Sequence, residues 1–439
     1  MHIRSFTIQL RHVRYASLLL STLLAAGCAS VSSVPSPPER SPVPSSPAAQ
    51  GASVEPVATA DPQQAFTQWV MKFRASARAA GIDEATLQAA FGDVRFVPRA
   101  IEADKAQPEF TRTVWDYLDT AVSAQRVSRG AAKLAELRKP GGLDIDAIAA
   151  RYGIPAEVLV AIWGMESSYG SFMGDIPAID ALATLGFEGR REEWARGQLM
   201  AALKILQTKE VSKAQMVGSW AGAMGQTQFL PTTFLAYAVD ADGDGRRDIW
   251  SSLPDVMAST AHFLARSGWV PGQEWGQEVR LPAGFDYARA DLSQRQSSVA
   301  WARDGVQAMD GGVLSNLPDA SVFLPAGARG PAFLVGNNFR TVLRYNNANS
   351  YALAVHLLAQ RLGGGAPPQT PWPRELQALT RSQVLTMQSA LNAKGFDTGA
   401  PDGVAGPATQ RGVRQFQRSL GLPADGFLTV DLLQRIQTP

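Results

Sequence analysis

Residues 155–170 read Pro-Ala-Glu-Val-Leu-Val-Ala-Ile-Trp-Gly-Met-Glu-Ser-Ser-Tyr-Gly, and they place a single interior carboxylate, Glu166, in an apolar segment. Pro155 is typical of a first helical turn and Gly170 of a helix end, so the stretch predicts a helix from Pro155 to Tyr169. Counting back from Glu166 along the same helix face reaches Ile162, Leu159 and Val158, which are all apolar. Its carboxylate therefore projects from a face that is buried or lines a cleft.

The surroundings of Glu166 favour its protonated form. The sequence has no Lys or Arg between Arg151 and Arg190, and the C-terminal end of a helix carries a partial negative charge. A desolvated glutamate without a cationic partner keeps its proton more readily than a free one, as a general acid must. The alternative is a structural glutamate paired with a distant arginine, and the helix alone does not separate the two.

Composition limits the class of protein. The chain has 439 residues, enough for two or three domains, and 41 Lys and Arg against 39 Asp and Glu give a net charge of +2. Because it contains no basic run, we predict no nucleic-acid partner. The single cysteine, Cys28, excludes an intramolecular disulfide and a multi-cysteine metal site, and the 4 histidines are too scattered for a zinc cluster.

The N-terminus is predicted to be an export signal. Three arginines precede an apolar run over residues 16–26 that is too short to span a membrane. The sequence Leu-Ala-Ala-Gly-Cys at 24–28 resembles a bacterial lipobox, although Ala25 replaces the usual leucine. Residues 1–28 are therefore predicted to be a lipoprotein signal peptide with Cys28 lipidated. By the same resemblance, Ala29 favours the outer membrane, hence a periplasmic protein anchored there. The alternative is a cleaved, soluble periplasmic protein.

Residues 29–63 are rich in Pro, Ser, Ala and Val and have no amphipathic period. This composition predicts a disordered tether. In an extended polyproline-like state at about 3 Å per residue, such a tether reaches on the order of 100 Å. It is long enough to hold a folded domain away from a membrane surface.

Residues 64–362 have the composition of a globular, mostly α-helical domain. Short β-alternation occurs only at Val279 to Leu281 and Ser321 to Leu324. The predicted helices run over Phe66 to Ala80, Asp83 to Phe91, Pro108 to Val127, Leu143 to Tyr152, Pro155 to Tyr169 and Trp194 to Leu206.

The stretch from Ser219 to Pro231, SWAGAMGQTQFLP, combines glycines with amide and hydroxyl side chains and two aromatic rings. Glycine lets backbone approach closely, amides and hydroxyls bond sugar hydroxyl and acetamido groups, and flat rings cover sugar C–H faces. The stretch favours a sugar-binding wall. The alternative is a tight helix crossing, and this stretch alone does not decide between them.

The sequence DADGDGRRD at 240–248 follows the opening of an EF-hand calcium loop, with oxygen ligands at the first, third and fifth positions and glycine at the sixth. Ser251 stands at the twelfth position, where a glutamate is usual, so Asp255 closes a longer loop or the site is weak. Because three close aspartates repel one another without a cation, we predict a structural calcium ion. The alternative is an acidic turn without metal.

Asparagines and tyrosines cluster between Asn337 and Tyr351. Such a cluster lines a polar pocket or forms a turn and N-cap before a helix, and taken alone it favours the turn.

Together these stretches resemble the membrane-bound lytic murein transglycosylase B family of bacterial cell-wall enzymes, from about Phe66 to Leu362. The matching motifs, in family order, are Pro108 to Thr113, Gly164 to Ser167, Ala221 to Pro231, the aspartate loop and Arg344 to Asn346. The resemblance implies a mainly α, goose-type lysozyme-like domain with helical additions, in which Glu166 is the sole catalytic acid and base. It also implies substrate contacts from Ser219, Gln228, Asn346 and Tyr351. It implies structural calcium on Asp240, Asp242, Asp244, the carbonyl of Arg246 and Asp255, and no organic cofactor.

Glycosidases usually place two carboxylates about 5 to 10 Å apart, whereas here only Glu166 has the right setting. We therefore expect a lytic transglycosylase that cleaves the β-1,4 bond between N-acetylmuramic acid and N-acetylglucosamine without water, leaving 1,6-anhydro ends. One rival is a lysozyme-like muramidase with a second carboxylate and a water. The other is a cell-wall anchoring protein whose catalytic fold is inactive.

The C-terminal region is predicted to be a linker at 363–377 and a small three-helix domain at 378–437. The domain resembles the peptidoglycan-binding domain whose repeat reads D-G-x-x-G-x-x-T, here on Asp402, Gly403, Gly406 and Thr409. The alternative is a helical module with another ligand or none. These resemblances imply peptidoglycan strands as the substrate, and they leave open which cell-wall synthesis or division proteins are partners.

Overall fold

The computed structural model describes residues 62–106 and 112–438. The predicted signal peptide with its lipobox and Cys28, nearly all of the predicted tether, and residues 108–111 of the first family motif lie outside these described residues. Within them the chain is mainly α-helical, which confirms the predicted fold class. None of the described helices is long and apolar enough to cross a membrane.

Fourteen described helices precede the C-terminal module. In chain order they are α1 Pro62–Ala79, α2 Glu84–Phe91, α3 Pro98–Ala106, α4 Val114–Ala121, α5 Ala124–Leu137, α6 Ile145–Tyr152, α7 Ala156–Ser167, α8 Ala178–Glu188, α9 Glu192–Gln207, α10 Pro231–Tyr237, α11 Leu253–Arg266, α12 Ser298–Arg303, α13 Asn337–Tyr345 and α14 Asn349–Leu362.

Helix α7 lies at the centre of the helical core. It packs against α5, α6, α11 and α14, and its residues from Val158 to Gly164 are all buried. A helix that is hydrophobic all round is stable only when other elements surround it. The helix that carries Glu166 is thus held on every side.

Several helices differ from the sequence prediction. The predicted helix Pro108 to Val127 is interrupted at Val122 and Ser123, because Ser123 has an extended backbone and its hydroxyl caps α5 by accepting the Arg126 N–H. The predicted helices include none of α3, α8, α10, α11, α12 and α13. Helix α8 is buried on nearly all its faces, so its sequence lacks the amphipathic period on which such predictions rest.

A four-stranded antiparallel sheet follows α11. Its strands are β3 Gly276–Arg280, β4 Gln307–Ala308, β5 Ser321–Phe323 and β6 Ala332–Val335, in the order β4-β3-β6-β5. A two-stranded ribbon, β1 Ile176–Pro177 with β2 Val217–Gly218, precedes it in the chain. The two predicted strand segments are confirmed as β3 and β5. Strand β6 was missed because all four of its residues are apolar, so they do not alternate.

Strand β6 separates two cores. Phe333 and Val335 pack into the main helical core, whereas Ala332 and Leu334 pack into a smaller core around Trp301. Because successive strand residues point to opposite faces, a continuous apolar run is what a strand buried on both faces requires.

The C-terminal module has the predicted three helices, α15 Arg381–Ala393, α16 Pro407–Ser419 and α17 Val430–Gln437, around a core of its own. Its two Asp-Gly turns are built alike. Gln388 donates to Asp402 and accepts the Gly403 N–H, and Gln417 repeats both bonds with Asp425 and Gly426. Asp425 also accepts the N–H of Ala328 at 2.8 Å, which ties the second turn to the sheet region.

The predicted linker is held against the preceding domain. The backbone N–H groups of Gln369 and Thr370 donate to Glu278, and Arg374 forms a bidentate ion pair with Asp119 at 2.7 and 2.8 Å. Trp372 packs against the main core. This segment therefore packs along the surface of the preceding domain.

Candidate active site

Glu166 lies in the last turn of helix α7, and the backbone that follows it fixes the position of its side chain. The helix ends at Ser167, and Ser168, Tyr169 and Gly170 all adopt left-handed backbone with φ of 50°, 60° and 76°. The predicted helix end at Tyr169 with a cap at Gly170 was therefore two residues too long. Two left-handed residues other than glycine are costly and persist only where surrounding contacts enforce them.

Tyr169 provides these contacts. Its hydroxyl donates to the carbonyl of Arg126 at 2.8 Å, and its ring lies so close to Gly164 that a Cβ there would come within 2.6 Å of it. Gly164 is thus required for packing. The Arg126 guanidinium in turn donates to the Gly164 carbonyl near the end of α7.

Glu166 is half-buried, and burial raises the pKa of its carboxyl to about 7. The hydroxyl of Tyr351, from the first turn of α14, donates to Glu166 Oε1 and partly opposes this rise in pKa. A carboxyl that titrates near neutral pH can give a proton and take one back. The predicted preference of Glu166 for its proton thus agrees with the pKa that the structure indicates.

Tyr345 is a second tyrosine in the electrostatic environment of Glu166. Its hydroxyl donates to the Thr227 carbonyl at 2.6 Å, and its ring packs against Phe229 and Phe263 with centroid separations of 5.7 and 4.9 Å. Burial and the charge of Glu166 raise the pKa of Tyr345. This neutral tyrosine joins α13 to the Ser219–Pro231 stretch. Sequence analysis included it in the Arg344 to Asn346 motif but predicted no role for it.

The Ser219–Pro231 stretch forms a tight loop and not a helix crossing. The Ser219 hydroxyl accepts the N–H groups of Ala221 and Ala223. Gln228, with φ of 51°, donates from its amide to the carbonyls of Met173 and Gly225 at 2.9 Å each. Gln226 is buried and accepts from the Trp163 indole N–H at 2.7 Å, which ties the loop to α7.

Glu166 lines a cleft of about 330 Å³ with Ser219, Trp220 and Gln228 from this loop. Sequence analysis missed several other lining residues, among them Phe172, Arg99 and Asp175. Phe172 is 68% exposed, and Asp175 forms an ion pair with Arg99 at 3.1 Å. An aromatic residue just after the Glu166 helix was the available signal for Phe172, whereas nothing local marks Arg99 or Asp175.

The four predicted substrate residues have different positions. Ser219 and Gln228 line the cleft with Glu166, and Tyr351 is buried and bonded to Glu166. Asn346 is exposed at the C-terminal end of α13, where its N–H donates to the Val342 carbonyl, and it is not among the lining residues of this cleft.

The aspartate loop brings three predicted ligands together. Oxygens of Asp240, Asp242 and Asp244 lie within 4.8 Å of one another, and Gly245, with φ of 89°, makes the turn between them and Arg246. Three convergent carboxylates are a donor set suited to a hard cation such as calcium. The Arg246 side chain pairs with Asp244 at 3.1 Å.

Asp255 is placed differently from these three carboxylates. It is fully buried, and its two oxygens accept the N–H groups of Ala241 and Asp248 at 2.7 Å each. It thereby joins the two ends of the loop to the start of α11.

Comparison with known proteins agrees with this architecture. The family model described as Transglycosylase SLT domain matches residues 65–360, and that of a peptidoglycan binding domain matches residues 380–436. Membrane-bound lytic murein transglycosylase B of Escherichia coli (strain K12) is 35% identical over 216 residues, 48% of this chain. The aligned stretch spans 57% of that relative's length.

Solved structures extend the likeness to the fold. SltB3 of Pseudomonas aeruginosa, solved in complex with NAG-anhNAM-pentapeptide, is 52% identical with a TM-score of 0.82, over 85% of this chain and 100% of that one. Escherichia coli Slt35, solved in complex with calcium, is 28% identical with a TM-score of 0.58, over 69% of this chain and 93% of that one. The predicted lytic transglycosylase fold is confirmed. The first family model matches more than half of this chain, and the chain therefore belongs to the transglycosylase SLT domain family.

Proposed function

We propose that this protein is a peptidoglycan lytic transglycosylase in which Glu166 acts first as acid and then as base. The observation that carries this proposal is a half-buried carboxyl with a pKa of about 7, hydrogen-bonded to Tyr351 in a cleft that Ser219, Trp220 and Gln228 also line. Family membership and the muropeptide complexes of SltB3 support the substrate class.

In the first step Glu166 gives its proton to the oxygen that links N-acetylmuramic acid to N-acetylglucosamine. The bond from that oxygen to the muramyl C1 breaks, and the muramyl acetamido oxygen bonds to C1. The N-acetylglucosamine side leaves with the proton. Tyr351 donates to Glu166 Oε1, so it stabilises the carboxylate that this step creates.

In the second step the Glu166 carboxylate takes the proton of the muramyl O6 hydroxyl as O6 attacks C1. The acetamido oxygen is released and a 1,6-anhydro ring closes. Glu166 regains its proton, so the cycle consumes no water. A pKa of about 7 suits both proton transfers, because efficient acid–base catalysis requires a pKa near the working pH.

Product analysis tests the reaction type. Purified peptidoglycan digested with the full chain is expected to yield fragments that end in 1,6-anhydro-N-acetylmuramic acid, detected by mass spectrometry in water enriched in ¹⁸O. Products with reducing, ¹⁸O-labelled ends would identify a muramidase. Wall binding without any fragment would identify an inactive anchoring protein.

Among residues 62–106 and 112–438, Asp175 is the other carboxylate that lines the cleft, so it is the candidate for the second carboxylate of a muramidase mechanism. Its side chain is 70% exposed and paired with Arg99, a setting that lowers its value as a nucleophile or base. We expect Asp175→Asn to keep anhydro products and to change kcat by less than about threefold. A loss of roughly a hundredfold or more, the range of a lost acid–base group, would contradict the single-carboxylate mechanism.

We further propose that Asp240, Asp242 and Asp244 hold a calcium ion, with the Arg246 carbonyl as a further ligand and Asp255 closing the loop. The convergence of the three carboxylates supports this site. The ion would be structural: it would neutralise the mutual repulsion of the aspartates and fix the loop to α11. Slt35, solved in complex with calcium, supports the choice of metal.

Calcium is expected to stabilise the fold. Because a ligand at about a hundred times its Kd adds about 2.7 kcal/mol, calcium should raise the melting temperature of the chelator-treated protein by several degrees. Asp242→Asn should remove most of that rise, whereas Asp310→Asn, at an exposed turn acid outside the loop, should keep it. A melting temperature that does not respond to calcium in the unsubstituted chain would contradict the site.

We also propose that the C-terminal module binds peptidoglycan and that lipidated Cys28 anchors the protein in the periplasm at the outer membrane. The match to the peptidoglycan binding domain supports the first proposal, and the name of the membrane-bound relative supports the second. The predicted partners are therefore glycan strands and, through the lipid alone, a membrane.

A further inference from the structure

A second cavity of about 730 Å³ adjoins the cleft that holds Glu166. Arg99 and Ile176 line both spaces, so a strand in the cleft has the cavity at its side. Apolar residues such as Phe96 form part of its wall. Its charged lining residues, besides Arg99, are Asp93, Arg95, Asp180 and Lys213.

Three of these five charged residues already form ion pairs. Lys213 pairs with Asp93, and Arg99 pairs with Asp175. Arg95 and Asp180 remain. Arg95 is exposed, and no side-chain hydrogen bond or ion pair is described for it within residues 62–106 and 112–438.

Asp180 is 5% exposed, and its Oδ1 has no hydrogen-bond partner among the described residues. A buried carboxylate oxygen without a donor costs free energy that a ligand donor recovers. Burial raises the pKa of Asp180, while the positive charge of Lys213 and a hydrogen bond from the Arg95 backbone lower it; the charge of Asp93 adds to the rise and that of Arg95 opposes it. A bound ammonium would add a third positive charge and favour the ionised form.

We propose that this cavity binds a zwitterionic side chain of the peptide carried by the glycan strand, one that bears both an ammonium and a carboxylate, with the ammonium at Asp180 and the carboxylate at Arg95. One carboxylate and one guanidinium in the same cavity, neither of them in an ion pair among the described residues, are the complement of a group that carries both charges. The shared Arg99 and Ile176 wall places this group beside the sugar in the cleft. The proposal rests on the proposed function because it takes a peptide-bearing glycan strand as substrate.

The test compares three soluble substrates: strands with intact peptides, strands stripped of peptide by an amidase, and peptide-bearing strands whose free ammonium groups are acetylated. Charged hydrogen bonds are worth enough to give a preference of about tenfold or more in kcat/KM. The unsubstituted chain should therefore prefer intact strands by about tenfold over both other substrates. Asp180→Asn and Arg95→Gln should lose that preference while their turnover of stripped strands stays unchanged.

Control variants and a binding measurement make the result decisive. Asp310→Asn and Arg303→Gln, both at exposed positions, should keep the preference. Dissociation constants of the Glu166→Gln chain for the three substrates are compared in the same way. They measure binding to the cavity even if no anhydro product forms. Arg95→Gln, at an exposed position, is expected to fold even if Asp180→Asn does not.

An equal preference in Arg95→Gln and the unsubstituted chain would overturn the proposal. The proposal would also be overturned if the two cavity variants lost kcat/KM equally on intact and on stripped strands. Failure of the proposed function would look different: no anhydro product would form from any substrate, whereas the binding preference of the Glu166→Gln chain would remain. The C-terminal module is the same in every variant, so its contribution to wall binding cancels.

Discussion

Glu166→Gln is expected to reduce the release of anhydro products by roughly a thousandfold or more and, at alkaline pH, to raise the stability of the fold. The loss of activity follows because Gln cannot donate or accept the proton in either step, and general acid–base catalysis contributes about 10² to 10⁴ for each step. Gln keeps the oxygen that accepts the Tyr351 hydroxyl, so the cleft should retain its shape.

The gain in stability follows from linkage. Folding raises the pKa of Glu166 from 4.5 to about 7, so the folded chain binds the proton more tightly than the unfolded chain. The stabilising effect of that proton is complete below pH 4.5 and is lost as pH rises through 7. Above pH 7 the buried charge therefore costs folding free energy, on the order of 2 kcal/mol after allowance for partial exposure.

Thermal unfolding at pH 5 and pH 8 measures this effect. Glu166→Gln should melt several degrees above the unsubstituted chain at pH 8 and close to it at pH 5. Glu193→Gln, at an exposed position on α9, serves as the matched control and should show no such difference. Equal melting temperatures at pH 8 would indicate that Glu166 is not desolvated, and retained activity would remove it as the catalytic residue.

His356→Phe is expected to make the fold more resistant to acid. His356 is buried on α14, and its ring stacks on Trp275 with a centroid separation of 4.9 Å and an interplanar angle of 6°. Burial lowers the pKa of this imidazole from 6.5 to about 3. Phe fits an aromatic stack and does not titrate.

The sign of the effect is opposite to that of Glu166. Between pH 6.5 and about 3 the unfolded chain protonates His356 and the folded chain does not. Stability due to the neutral ring is therefore complete above pH 6.5 and is lost as pH falls. Near pH 4.5 the loss amounts to about 2 to 3 kcal/mol, from about 1.4 kcal/mol for each pH unit below 6.5.

Denaturant unfolding between pH 4 and pH 8 checks this prediction. The slope of unfolding free energy against pH should be shallower below pH 6.5 in His356→Phe than in the unsubstituted chain. His262→Gln is the control, at a partly buried histidine whose Nδ1 lies 2.9 Å from the Tyr237 carbonyl. It shows whether removal of a different histidine changes the acid slope in the same way. Identical acid slopes in His356→Phe and the unsubstituted chain would contradict a neutral buried ring.

Local sequence pattern was enough for the elements whose determinants are close in the chain. The helix of Glu166, the mainly α class and the three C-terminal helices follow from apolar periodicity and from Pro, Gly and Asp-Gly signals that act over a few residues. Sequence also drew attention to Ser219 and Gln228, because glycines and amides cluster around them. These features need no knowledge of what packs against them.

Tertiary structure decided the chemical environment of the site. The pKa of Glu166 depends on burial and on Tyr351, which lies 185 residues away in the chain, and Arg99 and Asp175 enter the cleft from other segments. Strand β6 is recognisable only from the two cores on its faces. Such contacts join distant residues and leave no local period. The sequence by itself therefore determined where the proposed catalytic acid stands, and only the fold decided its pKa, its neighbours and the second cavity beside it.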